Sequence, residues 1–283
     1  MKLKVGSYKL LKTVIRITKT KNLLKPVYYT FQDLIDGNVL KKNISLKNIY
    51  QNHRCFILGT GSSLKETELA LLANEYTFGS NLIFKHKDFQ KLNLKFYALV
   101  DPFLDLCIDV FINRTAANLN PIILYPEISK ALPNPDTLIF LHTSARRFIE
   151  KHKIFKRRKV YYVNSSSPME LATAQSNDLS KRITFMNGSI FFMIAAAIYM
   201  GFKELYLSGC DYTYQPRQSG HFYEDWTLLD DKPVEHIHQI TKVFADEQGV
   251  EIYNVTPDGF ESPIYEKISW EEVVSKALTD KEK

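Results

Sequence analysis

The sequence predicts an α/β protein built on one doubly wound, mostly parallel sheet. Three observations predict it. Short apolar runs near residues 55–58, 77–84, 95–100, 137–141 and 204–207 alternate with stretches of helical periodicity. Several of these runs stop at glycine or a short polar residue: Gly59, Asn81, Asp101, and Ser208-Gly209. One stretch, Ile190 to Met200, is almost entirely apolar and too long for a strand, as expected of a helix buried against a sheet. In such sheets ligands sit beyond the carboxyl ends of the strands. Gly59–Ser63, Asn81 and Asp101 are therefore expected at one edge.

The first element, Cys55 to Leu58, reads as a buried strand that runs into a turn with Gly59 and Gly61. Ser62 or Ser63 is placed to cap a helix, and Glu66 follows Ser63 at capping-box spacing. Strand, glycine turn and helix start together make an anion site, or an ordinary strand-to-helix corner. Thr77 to Phe84 reads as the second strand, carrying Asn81, and Lys95 to Asp101 as the third, stopped by Pro102. A helix from Leu104 to Asn118 follows, then strands Pro121–Tyr125 and Thr137–Leu141.

Arg146 to Lys159 holds eight basic residues relieved only by Glu150. It is a solvated helix face, or a surface for a membrane or an acidic glycan. Asn187-Gly188-Ser189 opens the apolar helix and Gly201 closes it. Glu204–Leu207 then forms a central strand ending in Ser208-Gly209-Cys210-Asp211, with Tyr212 and Tyr214 beyond. Gly249 to Pro257 is a last strand with Asn254 and Thr256 at its tip, and Trp270–Leu278 a closing helix.

Charge is segregated. Eight of the 37 Lys and Arg residues lie in Met1–Pro26, which has no acid, leaving 29 against 31 acids in the rest. In that arm Leu3, Leu10, Val14, Ile17 and Leu24 share a helical stripe opposite Lys9, Lys12, Arg16 and Lys19. A basic amphipathic helix of this kind suits an anionic membrane surface, its own core or a partner helix. Nucleic acid is not expected, because the rest of the chain is not basic. Cys55, Cys107 and Cys210 form no C-x-x-C pair and are expected as buried thiols. With no signal peptide and no apolar run of about 20 residues, the chain is expected to be cytoplasmic and peripheral to the inner membrane. The expected layout is an arm and connector over 1–48, a core over 49–265 with a lid near 212–235, and a tail over 266–283.

The G-x-G-x-S-L turn after a strand, the polar Asn81 about twenty residues later, and R-I-T…G leading into G-F-K-E-L-Y-L-S-G-C-D carry a resemblance. They resemble the bacterial sialyltransferases of glycosyltransferase family 42, and are similar to the wider group of Maf-type flagellin glycosyltransferases and MptE-like pterin diphosphokinases. The resemblance implies a single Rossmann-like domain, a GT-A-variant, that transfers a nonulosonic acid from a CMP-activated donor by metal-free inverting displacement. It implies that Gly59, Thr60, Gly61, Ser62 and Ser63 line the nucleotide, and that Asn81 and Asp101 face ribose-phosphate and sugar. Asn187, Gly188 and Ser189 would approach the donor carboxylate. Tyr212 and Tyr214 would bind the departing phosphate, and Gly209, Asp211 and Tyr223 would also contact nucleotide or donor. The general base would be His221 in the lid, acting on a surface-glycan or glycolipid acceptor. Thr60 and Asp101 stand where those sialyltransferases have Asn, Thr213 stands where they have a phosphate-binding Tyr, and Phe185-Met186 interrupts the register.

Chemistry alone also favours His221, since a base near neutrality must take the acceptor proton and the site must hold growing phosphate charge. His236 and His238 are two apart on a helix and make no metal pair, while His53, His86, His142 and His152 read as loop or surface residues. Asp225, Asp230 and Asp231 are a solvated loop or, less simply, an Mg²⁺ site. Two rivals remain: an MptE-like Mg-dependent pyrophosphokinase and a non-catalytic nucleotide-sugar-binding partner. Donor sugar, linkage and any homo-oligomer stay open.

Overall fold

The computed structural model describes residues 33–101, 121–165, 177–183 and 188–279. The arm Met1–Pro26, the expected helix Leu104–Asn118, Cys107 and Asn187 lie outside them. In chain order the strands are β1 Arg54–Leu58, β2 Thr77–Ser80, β3 Phe96–Leu99, β4 Leu138–His142, β5 Lys159–Ser165, β6 Arg182–Ile183, β7 Glu204–Ser208, β8 Arg217–Ser219, β9 Leu228–Asp230, β10 Glu251–Val255 and β11 Glu266–Ile268. Nine of them form one sheet in the order β11-β10-β7-β1-β2-β3-β4-β5-β6, and every pairing is parallel. The two others make a small antiparallel hairpin, β8–β9. The expected α/β, Rossmann-like architecture is the one observed.

Alternation along the strands explains the layering. Cys55 and Ile57 join one core with Phe78, Phe96, Leu205 and Leu207, while Phe56 and Leu58 join a second with Tyr97, Leu99 and Tyr206. The first core is filled by the apolar helix Ser189–Met200, in which every residue from Phe191 to Met200 is buried. Its ends are set by Gly188 (φ 114°) and Gly201 (φ 98°), positions that L side chains seldom adopt. Helix His236–Glu247 adds Phe244 and Ala245 to the same face. The second core takes helices Pro121–Ala131 and Arg146–His152.

The chain builds from β1 outward through β6, then returns to lay β7 on the other flank of β1. In doubly wound sheets such a reversal is where a ligand crevice opens, which places it here beyond the ends of β1 and β7.

Four expectations are corrected. Pro121–Tyr125 is not a strand but the first part of helix Pro121–Ala131. Leu124, Tyr125, Ile128 and Leu132 are buried while Ile122 and Ile123 are exposed, a 3.6-residue period that a five-residue run conceals. Pro126 sits within that helix despite its missing N–H. No α-helix follows the glycine turn: two 3₁₀ turns, Ser62–Glu66 and Leu69–Leu72, are separated by the extended Thr67. The second strand stops at Ser80, because Asn81 turns the chain with φ 51°. Finally, His86 and His142 are buried, 5% and 3% exposed, and not on the surface. Strands β5, β6, β8, β9 and β11 are additions that the sequence did not announce.

Candidate functional site

The parallel strands deliver Gly59, Asn81 and Asp101 to the same sheet edge, each just past the end of β1, β2 or β3. From the other side of the crevice β7 delivers Gly209, Cys210 and Asp211. The two exits are in backbone contact: Gly59 N–H donates to Ser208 O at 2.8 Å and Gly61 N–H to Gly209 O at 2.8 Å. This contact explains the glycine spacing. A Cβ on Gly59 would strike the carbonyl of Gly209, and one on Gly61 would strike the carboxyl of Asp211.

Asp211 occupies the turn that the sequence offers to a phosphate. Its carboxylate accepts from Ser63 N–H at 3.0 Å, from Ser62 Oγ at 3.0 Å and from Ser63 Oγ at 2.5 Å. Asp211 is 2% exposed. Burial pushes its pKa above the ordinary carboxylate range, against hydrogen bonds from Ser63, Ser62 and Tyr214 that pull it down. The anion that this turn holds is the protein's own.

The lid begins where the turn ends. Phe222 N–H donates to Thr60 O at 3.1 Å, and Gly61 and His221 form an antiparallel bridge. Phe222 is buried edge-on to the His86 ring, with centroids 5.3 Å apart. His86 is a support: Asp88 N–H donates to its Nδ1 at 3.2 Å, so Nε2 carries the proton and donates to Leu64 O at 3.0 Å. Burial lowers its pKa and keeps that neutral tautomer.

His221 is 41% exposed at its side chain and its ring stacks on Tyr223 at 5.0 Å. Glu224 Oε2 receives both the His221 backbone N–H at 3.0 Å and Nδ1 at 2.9 Å, while Glu224 N–H returns a bond to His221 O. A carboxylate only accepts, so Nδ1 holds the proton and Nε2 of the neutral ring keeps a lone pair. That is the arrangement of a general base steadied by an acid. Glu224 was missed in the sequence; an acid three residues after a lid histidine is the signal that could have found it.

The remaining candidates divide by exposure. Tyr212 is 45% exposed, with the Arg217 guanidinium 5.9 Å from its ring centroid. Tyr223 has Lys85 Nζ 5.3 Å from its ring, and burial pushes its hydroxyl up to about 12. Tyr214 is buried and bonds Gln218 Oε1 at 3.0 Å, with its pKa raised by burial. Thr213 is buried too and donates to Cys210 O at 2.6 Å and Asn254 Oδ1 at 3.1 Å, so the tip of β10 is tied into the core. Gly188 and Ser189 stand at the start of the apolar helix, Gly188 exposed and Ser189 half-buried. The Lys232 backbone N–H at 2.9 Å and then the Arg217 guanidinium at 2.8 Å hold the Asp230 carboxyl at about 2, with Lys232 Nζ beside it. Among the described residues no three His, Cys, Asp or Glu side chains converge as metal ligands would.

No protein-family model and no curated protein matches this chain. Among solved structures it is similar to the sialyltransferase CstII from Campylobacter jejuni, determined in complex with the substrate analogue cytidine-5'-monophosphate. Identity is 16%, coverage 74% of this chain and 82% of that one, and the TM-score 0.41. It is similar also to the MAf glycosyltransferase from Magnetospirillum magneticum AMB-1, at 9% identity and a TM-score of 0.46. That match covers 99% of this chain and 50% of the other, so the chain spans half that protein's length.

Proposed function

We propose that the chain is a glycosyltransferase that moves a nonulosonic acid from a CMP-activated donor to a hydroxyl of a surface glycan. The observation that carries this reading is His221, held by Glu224 through Nδ1 and left with Nε2 available beside the β1–β7 crevice. In the proposed reaction Nε2 takes the acceptor hydroxyl proton while its oxygen attacks the anomeric carbon. The bond from that carbon to the CMP phosphate oxygen breaks on the opposite face, so configuration inverts and the electron pair leaves with CMP. The donor is of sialic, pseudaminic, legionaminic or Kdo type.

Because Asp211 fills the turn at Ser62 and Ser63, the phosphate is assigned to hydroxyls and cations around it. Tyr223, Tyr212 and Lys85 are the accessible ones, and Tyr214 acts beneath them by holding the turn. The donor sugar lies over Thr60, Asn81, Asp101 and the start of the helix at Gly188 and Ser189, with Asn187, adjacent in sequence, assigned to its carboxylate. No metal is assigned a role in this scheme. The acceptor is reached at the cytoplasmic face of the inner membrane, with Met1–Pro26 as the anchoring arm.

A thermal-shift panel of CMP, CDP, UDP, GDP and ATP, each with and without Mg²⁺, tests the reading. A metal-independent rise with CMP alone is expected, followed by CMP release from a nonulosonate donor that is lost in His221→Ala. A rise that needs ATP and Mg²⁺ would sink the transferase and favour a pyrophosphokinase. CMP binding without any turnover would leave a nucleotide-sugar-binding partner.

A further inference from the structure

Away from the crevice, positive charge collects on one flank of the described surface. Between residues 121 and 159 the sequence places nine Lys and Arg against three acids, Glu127, Asp136 and Glu150. That surplus equals the net charge of the whole chain, so outside this segment and the arm the chain is acidic. Some of the cations have structural partners. Arg146 bonds Glu150, Lys159 bonds Asp136, and Arg158 donates to the carbonyl oxygens of Leu132 and Asn134. Arg147, Lys151, Lys153, Lys156 and Arg157 are exposed and have no acidic partner among the described residues.

The backbone presents that charge in an unusual form. Lys153, Phe155 and Arg157 all take positive φ, 53°, 56° and 70°, which non-glycine side chains seldom adopt. Phe155 is buried and anchors the loop, with Lys156 and Arg157 exposed beside it. The N–H groups of Phe155, Lys156 and Arg157 find no backbone acceptor among the described residues. Backbone donors without a backbone acceptor beside cations favour anions.

Next to the loop is a cleft of about 390 Å³ lined by Ile122, Pro126, Phe148 and Ile154, with Lys130 and Lys153. Ile122 and Ile123 are 60% and 53% exposed, on a helix whose other side is buried. Exposed apolar side chains beside Lys130 and Lys153, with further cations that have no acidic partner among the described residues, match the interface of an anionic bilayer, which offers phosphates and an acyl boundary together. An acidic polysaccharide would satisfy the cations and leave the isoleucines in water. We propose that this flank docks on an anionic bilayer, with Ile122 and Ile123 entering the acyl boundary and the 147–157 cations on lipid phosphates. The surface is independent of the arm and of the transferase reading.

Co-sedimentation of the full chain with vesicles tests it, comparing phosphatidylcholine alone with phosphatidylcholine containing phosphatidylglycerol. Binding to the anionic vesicles is expected, weakening as salt rises. The combined variant Lys153→Gln/Lys156→Gln/Arg157→Gln is expected to bind about a hundredfold more weakly. Ile122→Ser/Ile123→Ser is expected to lose severalfold at unchanged charge. All replaced side chains are exposed, and unchanged melting temperatures would establish that both variants are folded. Vesicle binding equal to the parent's in the cation variant would overturn the proposal. Loss in the cation variant alone, with a soluble acidic polysaccharide displacing the parent protein from vesicles, would overturn it in favour of a glycan partner.

Discussion

Two corners of the crevice, joined by the Gly61–His221 bridge, differ in what they leave available. At the turn, the hydroxyls of Ser62 and Ser63 and the Ser63 N–H all point to Asp211. At the lid, His221 commits its backbone N–H and one ring nitrogen to Glu224 and retains the other. The first corner has the more familiar local sequence, a glycine turn with serines, yet its donors are satisfied internally. The second has an unremarkable Ser-Gly-His-Phe-Tyr-Glu sequence and presents the free functional group. The donors of the turn are satisfied internally, while one ring nitrogen of His221 has no partner among the described residues.

The sharpest way to break this contrast is His221→Ala. Removing a general base is expected to lower kcat by about 10²–10⁴-fold. Melting temperature should hardly move, because the side chain is 41% exposed. Retained turnover would mean that another group takes the acceptor proton. Asp211→Ala should show the opposite profile, losing about 2–4 kcal/mol of stability in denaturant unfolding. It leaves a half-buried N–H and two half-buried hydroxyls without their acceptor. Asp211→Asn keeps one oxygen and should lose less. Tighter CMP binding by a folded Asp211 variant would show that the turn can accept a ligand phosphate, and the contrast would fall.

Much of this fold was legible because local pattern and tertiary role coincide. Phe191 to Met200 is apolar on every side, so only burial on all sides could stabilise it as a helix, and Gly188 and Gly201 bracket it. The apolar runs Cys55–Leu58 and Leu205–Leu207 were likewise recognisable, each ending at a glycine or serine turn. Pro121–Ala131 misled because Ile122 and Ile123 are exposed, so the apolar run crosses two helix faces. The turn misled for a different reason. Its partner Asp211 is 148 residues away from Ser63, and no local spacing announces that a carboxylate will return to fill a capping position. Glu224 stands only three residues from His221, and its meaning depends on His221 being placed at the crevice by the long-range Thr60–Phe222 contact.

A histidine buried on the far side of the sheet sharpens the comparison by being wholly closed. His238 bonds Tyr265 Oη at 3.1 Å, and burial lowers its pKa to about 4. The folded state therefore resists protonation that the unfolded chain accepts near pH 6.5. Its contribution is present above pH 6.5 and is lost as pH falls toward 4, on the order of 2–3 kcal/mol. Denaturant unfolding at stepped pH should show that loss. His238→Gln should flatten this part of the profile, and an unchanged slope would place the titration on His86 or elsewhere.

The smallest expected effect is on Glu224, and it separates orientation from substrate binding. Glu224→Gln keeps an oxygen that Nδ1–H can donate to, so the tautomer is preserved, but the charge that steadies the imidazolium formed during proton transfer is gone. A kcat lower by about tenfold at unchanged KM is expected, since the interaction strengthens only as the proton arrives. Glu224→Ala removes the acceptor as well and should cost more, because Nδ1 and Nε2 then compete for the proton and the backbone bond to His221 is also lost. If both variants raised KM and left kcat intact, Glu224 would be shaping the lid that admits the acceptor, and His221 would have to find its orientation from the Tyr223 stack alone.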